Sequence, residues 1–192
     1  IDLVSAEPRT ALYVAGKDAT GDVYEGIARD LNLDVSRDVV KVASLSALYG
    51  AGSFSLSKLL GSKVTAKRVI NRLRDHFGVA RIESQLTHDM KVHGHISNLF
   101  GRKLMTRPDE IQKAYSHFMQ STTSDAAIVM FSIASKTMKE ADDRFMPHFV
   151  IHDAMVCQVS SDKKDQLASM TKHLELTGVG LYETKMSPIS DS

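Results

Sequence analysis

Apolar residues recur at helical spacing through most of the chain and gather into strand-length runs only near its two ends. Residues 37–50, RDVVKVASLSALYG, place Arg37, Lys41, Leu45 and Tyr49 at every fourth position. On a helix turning about 100° per residue, these four form one slowly drifting stripe led by two cations. Ser36 supplies an N-cap and Gly50 a stop. Ahead of this segment, residues 5–16 read as a helix with Pro8 in its first turn, where the missing N–H costs little. Residues 22–31 read as a second helix, with Asp22 as cap and Val23, Ile27 and Leu31 on one side. Behind it, helices are expected over 53–60 and 65–77, punctuated by Gly61 and Gly78, and another marked by Ile82, Leu86 and Met90 that ends at Gly94. Residues 95–100 read as extended and Gly101 as a turn. Thr106 and Pro108 open a long helical stretch over 109–141, with a break expected at the polar run 121–124. Residues 145–151 and 154–159, rich in Val, Ile and Phe, read as two strands with His152 and Asp153 at the hairpin tip. Ser161 is expected to cap a last helix carrying Leu167, Met170 and Leu174, and residues 179–186 to return as an edge strand. The implied fold class is α+β, with helices gathered around a mostly antiparallel sheet that residues 1–4 join.

Composition narrows this picture only a little. A chain of 192 residues, 43% hydrophobic, can bury a sizeable core and needs one or two domains. With 24 basic against 23 acidic residues it exerts no global pull on nucleic acid. Residues 58–107, however, set eleven Lys and Arg against only Asp75, Glu83 and Asp89. Such a stretch suits a phosphate backbone and equally suits a solvated helix surface. Cys157 stands alone, which excludes an intrachain disulfide or thiolate metal cluster and fits a reducing compartment. His93-Gly94-His95 is too short a signal for zinc. No apolar run approaches the roughly 20 residues of a membrane span, so the expectation is a soluble, intracellular protein.

Three segments carry candidate chemistry. The first is IDLVSAEPR, with Asp2, Glu7 and Arg9. The second is the Arg37-x3-Lys41-x7-Tyr49-Gly50 helix, and the third is the His152-Asp153 pair inside FVIHDAMVCQV. Each has an ordinary reading: Asp2 as a solvated terminal residue, Glu7 as a carboxylate at a helix start, the stripe as a basic face, and Asp153 as a turn aspartate. Taken in order, they resemble motifs A, B and C of the family A DNA polymerases. LFGRK at 99–103 and QSTTSD at 120–125 are similar to segments the family carries between motifs B and C. The resemblance covers nearly the whole chain.

What the resemblance implies is specific. The fold would be a polymerase palm with an antiparallel sheet plus helical fingers: palm at 1–21 with motif A, fingers at 22–90 around helix 37–50, and palm again at 91–192 with the motif C hairpin at 145–159. Thumb and exonuclease lie before motif A in this family. The chain would therefore lack both and rely on an N-terminal region or partner chain. Asp2 and Asp153 would hold two Mg2+ ions. Arg37 and Lys41 would neutralise the triphosphate of an incoming dNTP, with Lys41 also counted among the catalytic residues. Leu45 would lie under the sugar, where the family usually has Phe or Tyr, and Tyr49 near the templating base. Glu7 would crowd the 2′ position. Arg102, Gln120 and His152 would contact primer-template DNA. Three further positions depart from the family pattern: Ala154 replaces an acid, Tyr24 a histidine and Ser116 an asparagine. The implied activity is template-directed transfer of dNMP to a primer 3′-hydroxyl in a DNA-containing compartment, by two-metal chemistry. The competing readings are a relative of the single-subunit RNA polymerases, which share the Arg-x3-Lys helix and the His-Asp pair, and a non-catalytic nucleic-acid-binding or scaffold subunit.

Overall fold

The computed structural model describes residues 1–50, 53–105 and 113–189, so Thr106 and Pro108 lie outside the described residues. The chain divides into two compact units, one of Ile1–Ala6 with Thr123–Ser192 and the other of Glu7–Thr122. Each has its own apolar cluster.

The helical unit is built from α1 (Ala6–Val14), α2 (Val23–Asp30), α3 (Arg37–Tyr49), α4 (Phe54–Leu60), α5 (Lys63–His76) and α6 (Val79–His93). The expected caps are in place: the Asp22 carboxylate accepts from the N–H groups of Tyr24 and Glu25, and the Ser36 hydroxyl from that of Val39. The C-terminus of α3 needs a left-handed residue, which Gly50 supplies at φ +65°. Helix α3 buries Val40, Ala43, Ala47 and Leu48 in a cluster with Leu56, Leu73, Phe77 and Leu86. Of its Arg37, Lys41, Leu45 and Tyr49 stripe, the two cations are exposed and the last two half-buried, with Tyr49 packed against this cluster. The segment expected to be extended at 95–100 is strand only at β2 (Ile96–Ser97), paired antiparallel with β3 (Lys103–Leu104). Between them the Asn98 side chain accepts from the N–H groups of Phe100 and Arg102 and holds the turn at Gly101.

Helix α7 (Ala114–Ala141) runs without the break expected at 121–124. The hydroxyl of Ser121 bonds back to the Phe118 carbonyl, and Thr122 and Thr123 are buried, so this polar run sits inside a regular helix.

The sheet unit adds β4 (Met146–Ile151), β5 (Ala154–Gln158), a 3-10 turn at Ser161–Lys163, α8 (Lys164–Met170), β6 (His173–Leu176) and β7 (Gly180–Lys185). With β1 (Asp2–Leu3) the strand order is β4-β5-β1-β7-β6, and every pairing is antiparallel. Two expectations are corrected. Leu174 lies on β6, where exposed His173 and Glu175 alternate with half-buried Leu174 and Leu176 at strand period. Strand β7 is interior, paired with β1 on one side and β6 on the other, and β6 takes the edge. Leu3, Met130, Phe131, Met155, Leu167 and Tyr182 form the core of this unit. Among the described residues, no helix is long and apolar enough to cross a membrane.

Candidate active site

Strand pairing brings the two sequence-predicted carboxylates together. β1 runs antiparallel to β5 with Asp2 opposite Ala154. The Leu3 N–H donates to the Asp153 carbonyl at 2.9 Å, and the Met155 N–H to the Ile1 carbonyl at 2.7 Å. Leu3 is buried and Asp2 exposed, as alternation on a strand requires. Burial pushes the Asp2 carboxyl above the ordinary aspartate range, and the Asp153 charge adds to the rise, against the opposing pull of the Ile1 α-amino group and Lys185. Asp153 sits beside His152 in the two-residue turn between β4 and β5. His152 is exposed and adopts a left-handed backbone at φ +53°, a conformation that His tolerates better than most residues. Ala154 is the direct cross-strand partner of Asp2, so the position where an acid would be expected puts only a methyl group beside that carboxylate.

These carboxylates suit a hard divalent cation, since each can relieve the repulsion of the other through a shared positive charge. Among the described residues no group of three or more His, Cys, Asp or Glu is arranged to hold a metal. The remaining ligands would be water and substrate oxygens, the usual habit of magnesium. Cys157 lies three residues beyond Ala154 on β5, half-buried, with burial pushing its thiol above its ordinary range.

The helical unit holds the other candidates. Arg37, first residue of α3, donates from Nε to Asp22 Oδ2 at 2.7 Å, and its guanidinium lies 5.1 Å from the centre of the Tyr24 ring. Burial works to raise the Asp22 carboxyl but is outweighed by the Arg37 bond and the two capping N–H groups, leaving it below the ordinary range. Lys41 is exposed one turn further on, and Glu7 is half-buried in the first turn of α1. Arg9 is buried and donates to the carbonyls of Ala19 and Gly21, so it pins the loop that leads to α2. Arg102 donates from Nη2 to the Ser121 carbonyl at 3.3 Å, which puts it beside exposed Gln120 on α7. Several cations of the basic middle have structural work: Arg72, Arg74 and Arg81 donate to the carbonyls of Leu31, Ala47 and Val14 at or near the C-terminal ends of α2, α3 and α1. Sequence reading gave Asp22 only a capping role, and nothing local in the chain signals its second partner fifteen positions away.

The family described as DNA polymerase family A matches residues 17–178. The chain belongs to the family A DNA polymerases. The matched stretch includes the α3 stripe, Arg102, Gln120, His152 and Asp153, and begins after Asp2 and Glu7. A DNA polymerase of Mycobacterium phage D29 is 25% identical over 134 residues, covering 68% of this chain and 21% of that protein. The POL domain of Pol1 from M. smegmatis, solved in complex with DNA primer-template and dNTP, matches in fold with a TM-score of 0.62 at 18% identity, over 89% of this chain and 35% of that one. The chain thus spans well under half the length of either of these proteins.

Proposed function

We propose that this chain is the palm and fingers part of a DNA polymerase, transferring a dNMP to a primer 3′-hydroxyl with release of pyrophosphate. The observation that carries the reading is the β1–β5 pairing, which sets Asp2 on β1 beside the turn that bears Asp153, close enough for the Asp153 charge to raise the pKa of Asp2. Asp2 and Asp153 would hold two Mg2+ ions, which when bound lower the pKa of the attacking hydroxyl and stabilise the leaving pyrophosphate. Arg37 and Lys41, one turn apart on α3, bind the triphosphate by charge-assisted hydrogen bonds. Leu45 and Tyr49 offer a half-buried apolar continuation of that stripe for sugar and base. Glu7 restricts the 2′ position and favours deoxynucleotides. Arg102, Gln120 and His152 contact primer-template DNA. The proposed palm is at 1–21 and 91–192, around fingers at 22–90; of these, Asp2 of motif A and the motif C hairpin fall in the sheet unit, and Glu7, Arg9 and motif B in the helical unit. The protein would work in a DNA-containing compartment.

Primer extension with magnesium, comparing deoxy- with ribonucleotides, tests the assignment. Asp153→Asn is expected to reduce deoxynucleotide incorporation by at least about a hundredfold, the scale of removing a group that acts on the transition state. Undiminished incorporation would overturn the role of Asp153, and equal use of ribonucleotides would remove that of Glu7. Ala154 opposite Asp2 favours one second reading, a DNA-binding subunit without catalysis. That subunit would bind primer-template with steep salt dependence and incorporate nothing.

A further inference from the structure

Asp22 is engaged twice. One carboxylate oxygen, Oδ1, accepts from the N–H groups of Tyr24 at 3.0 Å and Glu25 at 3.1 Å and so fixes the group on the N-terminus of α2. The other, Oδ2, receives Arg37 Nε at 2.7 Å. Because the first oxygen is held by backbone, the second cannot swing away, and the guanidinium it grips is limited to a small arc. Below that arc lies the Tyr24 ring, itself only 3% exposed and 5.1 Å from the guanidinium carbon. An arginine side chain at the first position of a helix ordinarily samples many rotamers. Here one edge is bonded and one face is covered.

What remains is the outer end of the fork. Arg37 is 42% exposed, and its two terminal amino groups make no further hydrogen bond among the described residues. They form the end-on pair of donors that fits two oxygens of a phosphate. We propose that Asp22 is a positioning residue for Arg37, holding its guanidinium by Nε against Tyr24 so that the Nη1 and Nη2 pair is presented to the phosphates of an incoming nucleoside triphosphate. The proposal rests on the reading of α3 as the triphosphate helix and adds to it a residue from a different helix.

Two effects of opposite sign decide what Asp22 does to affinity. Its negative charge offsets part of the field that Arg37 projects, whereas its grip removes motion that binding would otherwise have to freeze. The first is weak at this site: Asp22 is 33% exposed and Arg37 more so, and solvent and salt screen charges that open. The second does not depend on screening. Lys41, exposed on the next turn, keeps its own charge for the phosphates. Preorganisation therefore wins, and Asp22 tightens binding. Tyr24, standing where the family pattern has a histidine, acts as the floor of the device.

A double-mutant cycle in the full chain tests this, with equilibrium dialysis of a radiolabelled deoxynucleoside triphosphate in the presence of magnesium and primer-template DNA. Asp22→Asn keeps a good N-cap while removing the acceptor for Nε. Its Kd for the nucleotide is expected to rise about 3- to 10-fold, the range of measured coupling between contacting residues. In an Arg37→Ala background the same substitution is expected to change the Kd by less than about 1.5-fold. An equal rise in both backgrounds would mean that Asp22 serves α2 alone, and a fall in Kd would mean that it competes with phosphate; either overturns the proposal. If Arg37→Ala by itself leaves the Kd unchanged, the triphosphate role of α3 fails and the positioning role fails with it. If Arg37→Ala weakens binding and Asp22→Asn does not, only the positioning role fails.

Discussion

Asp2 is held in an uncomfortable ionisation state, and the causes can be separated by experiment. Burial is the larger influence on its carboxyl and the Asp153 charge the next. Asp153→Asn is therefore expected to lower the Asp2 titration midpoint without returning it to the ordinary aspartate range, followed by carbon-detected NMR of the carboxyl. Magnesium in the unsubstituted chain should lower the same midpoint, and a chelator should restore it, because a bound cation favours the charged form. A midpoint indifferent to magnesium would argue against a metal role for Asp2. The sign for folding follows: a carboxyl whose folded pKa is raised favours the folded state as pH falls through that pKa and disfavours it above. At this scale the sequence was readable in placing Asp2 on the first strand and Asp153 in the hairpin turn. It was silent on Asp22 with Arg37, which meet only because α2 and α3 pack together.

Helix α3 was legible because its ends and its face are both local properties. Ser36 and Gly50 lie at the positions that capping requires, and the period of Val40, Ala43 and Ala47 matches the buried side. Gly50→Ala puts a side chain at φ +65° with open space around its Cβ, so the cost is backbone strain alone. It is expected to be about 1 kcal/mol in urea unfolding, with Gly50→Asn milder. A neutral Gly50→Ala would show that the left-handed turn is not retained. Two of the misread elements fail for related reasons. The 121–124 run is polar by composition, yet a helix can take back a hydroxyl bond such as that of Ser121, so polarity did not imply a break. Leu167, Met170 and Leu174 share a helical spacing, but the chain turns after Met170 and the period of 2 takes over. Strand position was beyond reach in another way: that β7 is interior follows from the placement of β1, more than 170 positions earlier.

For the molecule as a whole, stability in acid depends on Asp142, which joins the end of α7 to β5. Its carboxylate accepts from the N–H and hydroxyl of Ser160, each at 2.8 Å, and from the Arg144 N–H at 3.0 Å. The Ser160 N–H is the main cause of a carboxyl held below the ordinary range. A depressed folded pKa supplies stability that is whole above the unfolded value near 4 and drains away as pH falls through the folded one. Asp142→Asn is expected to lower the midpoint of thermal unfolding at pH 7 and to flatten its dependence on pH below about 4; parallel curves for the two proteins would rule this out. Each unit buries its own cluster, and only the sheet unit contains a thiol, because Cys157 is the single cysteine. That thiol is half-buried on β5, and burial pushes its pKa above the ordinary range, so it is expected to react slowly with an alkylating reagent at neutral pH. The chain thus carries its own chemical reporter on the strand that pairs with Asp2, readable without any engineered label.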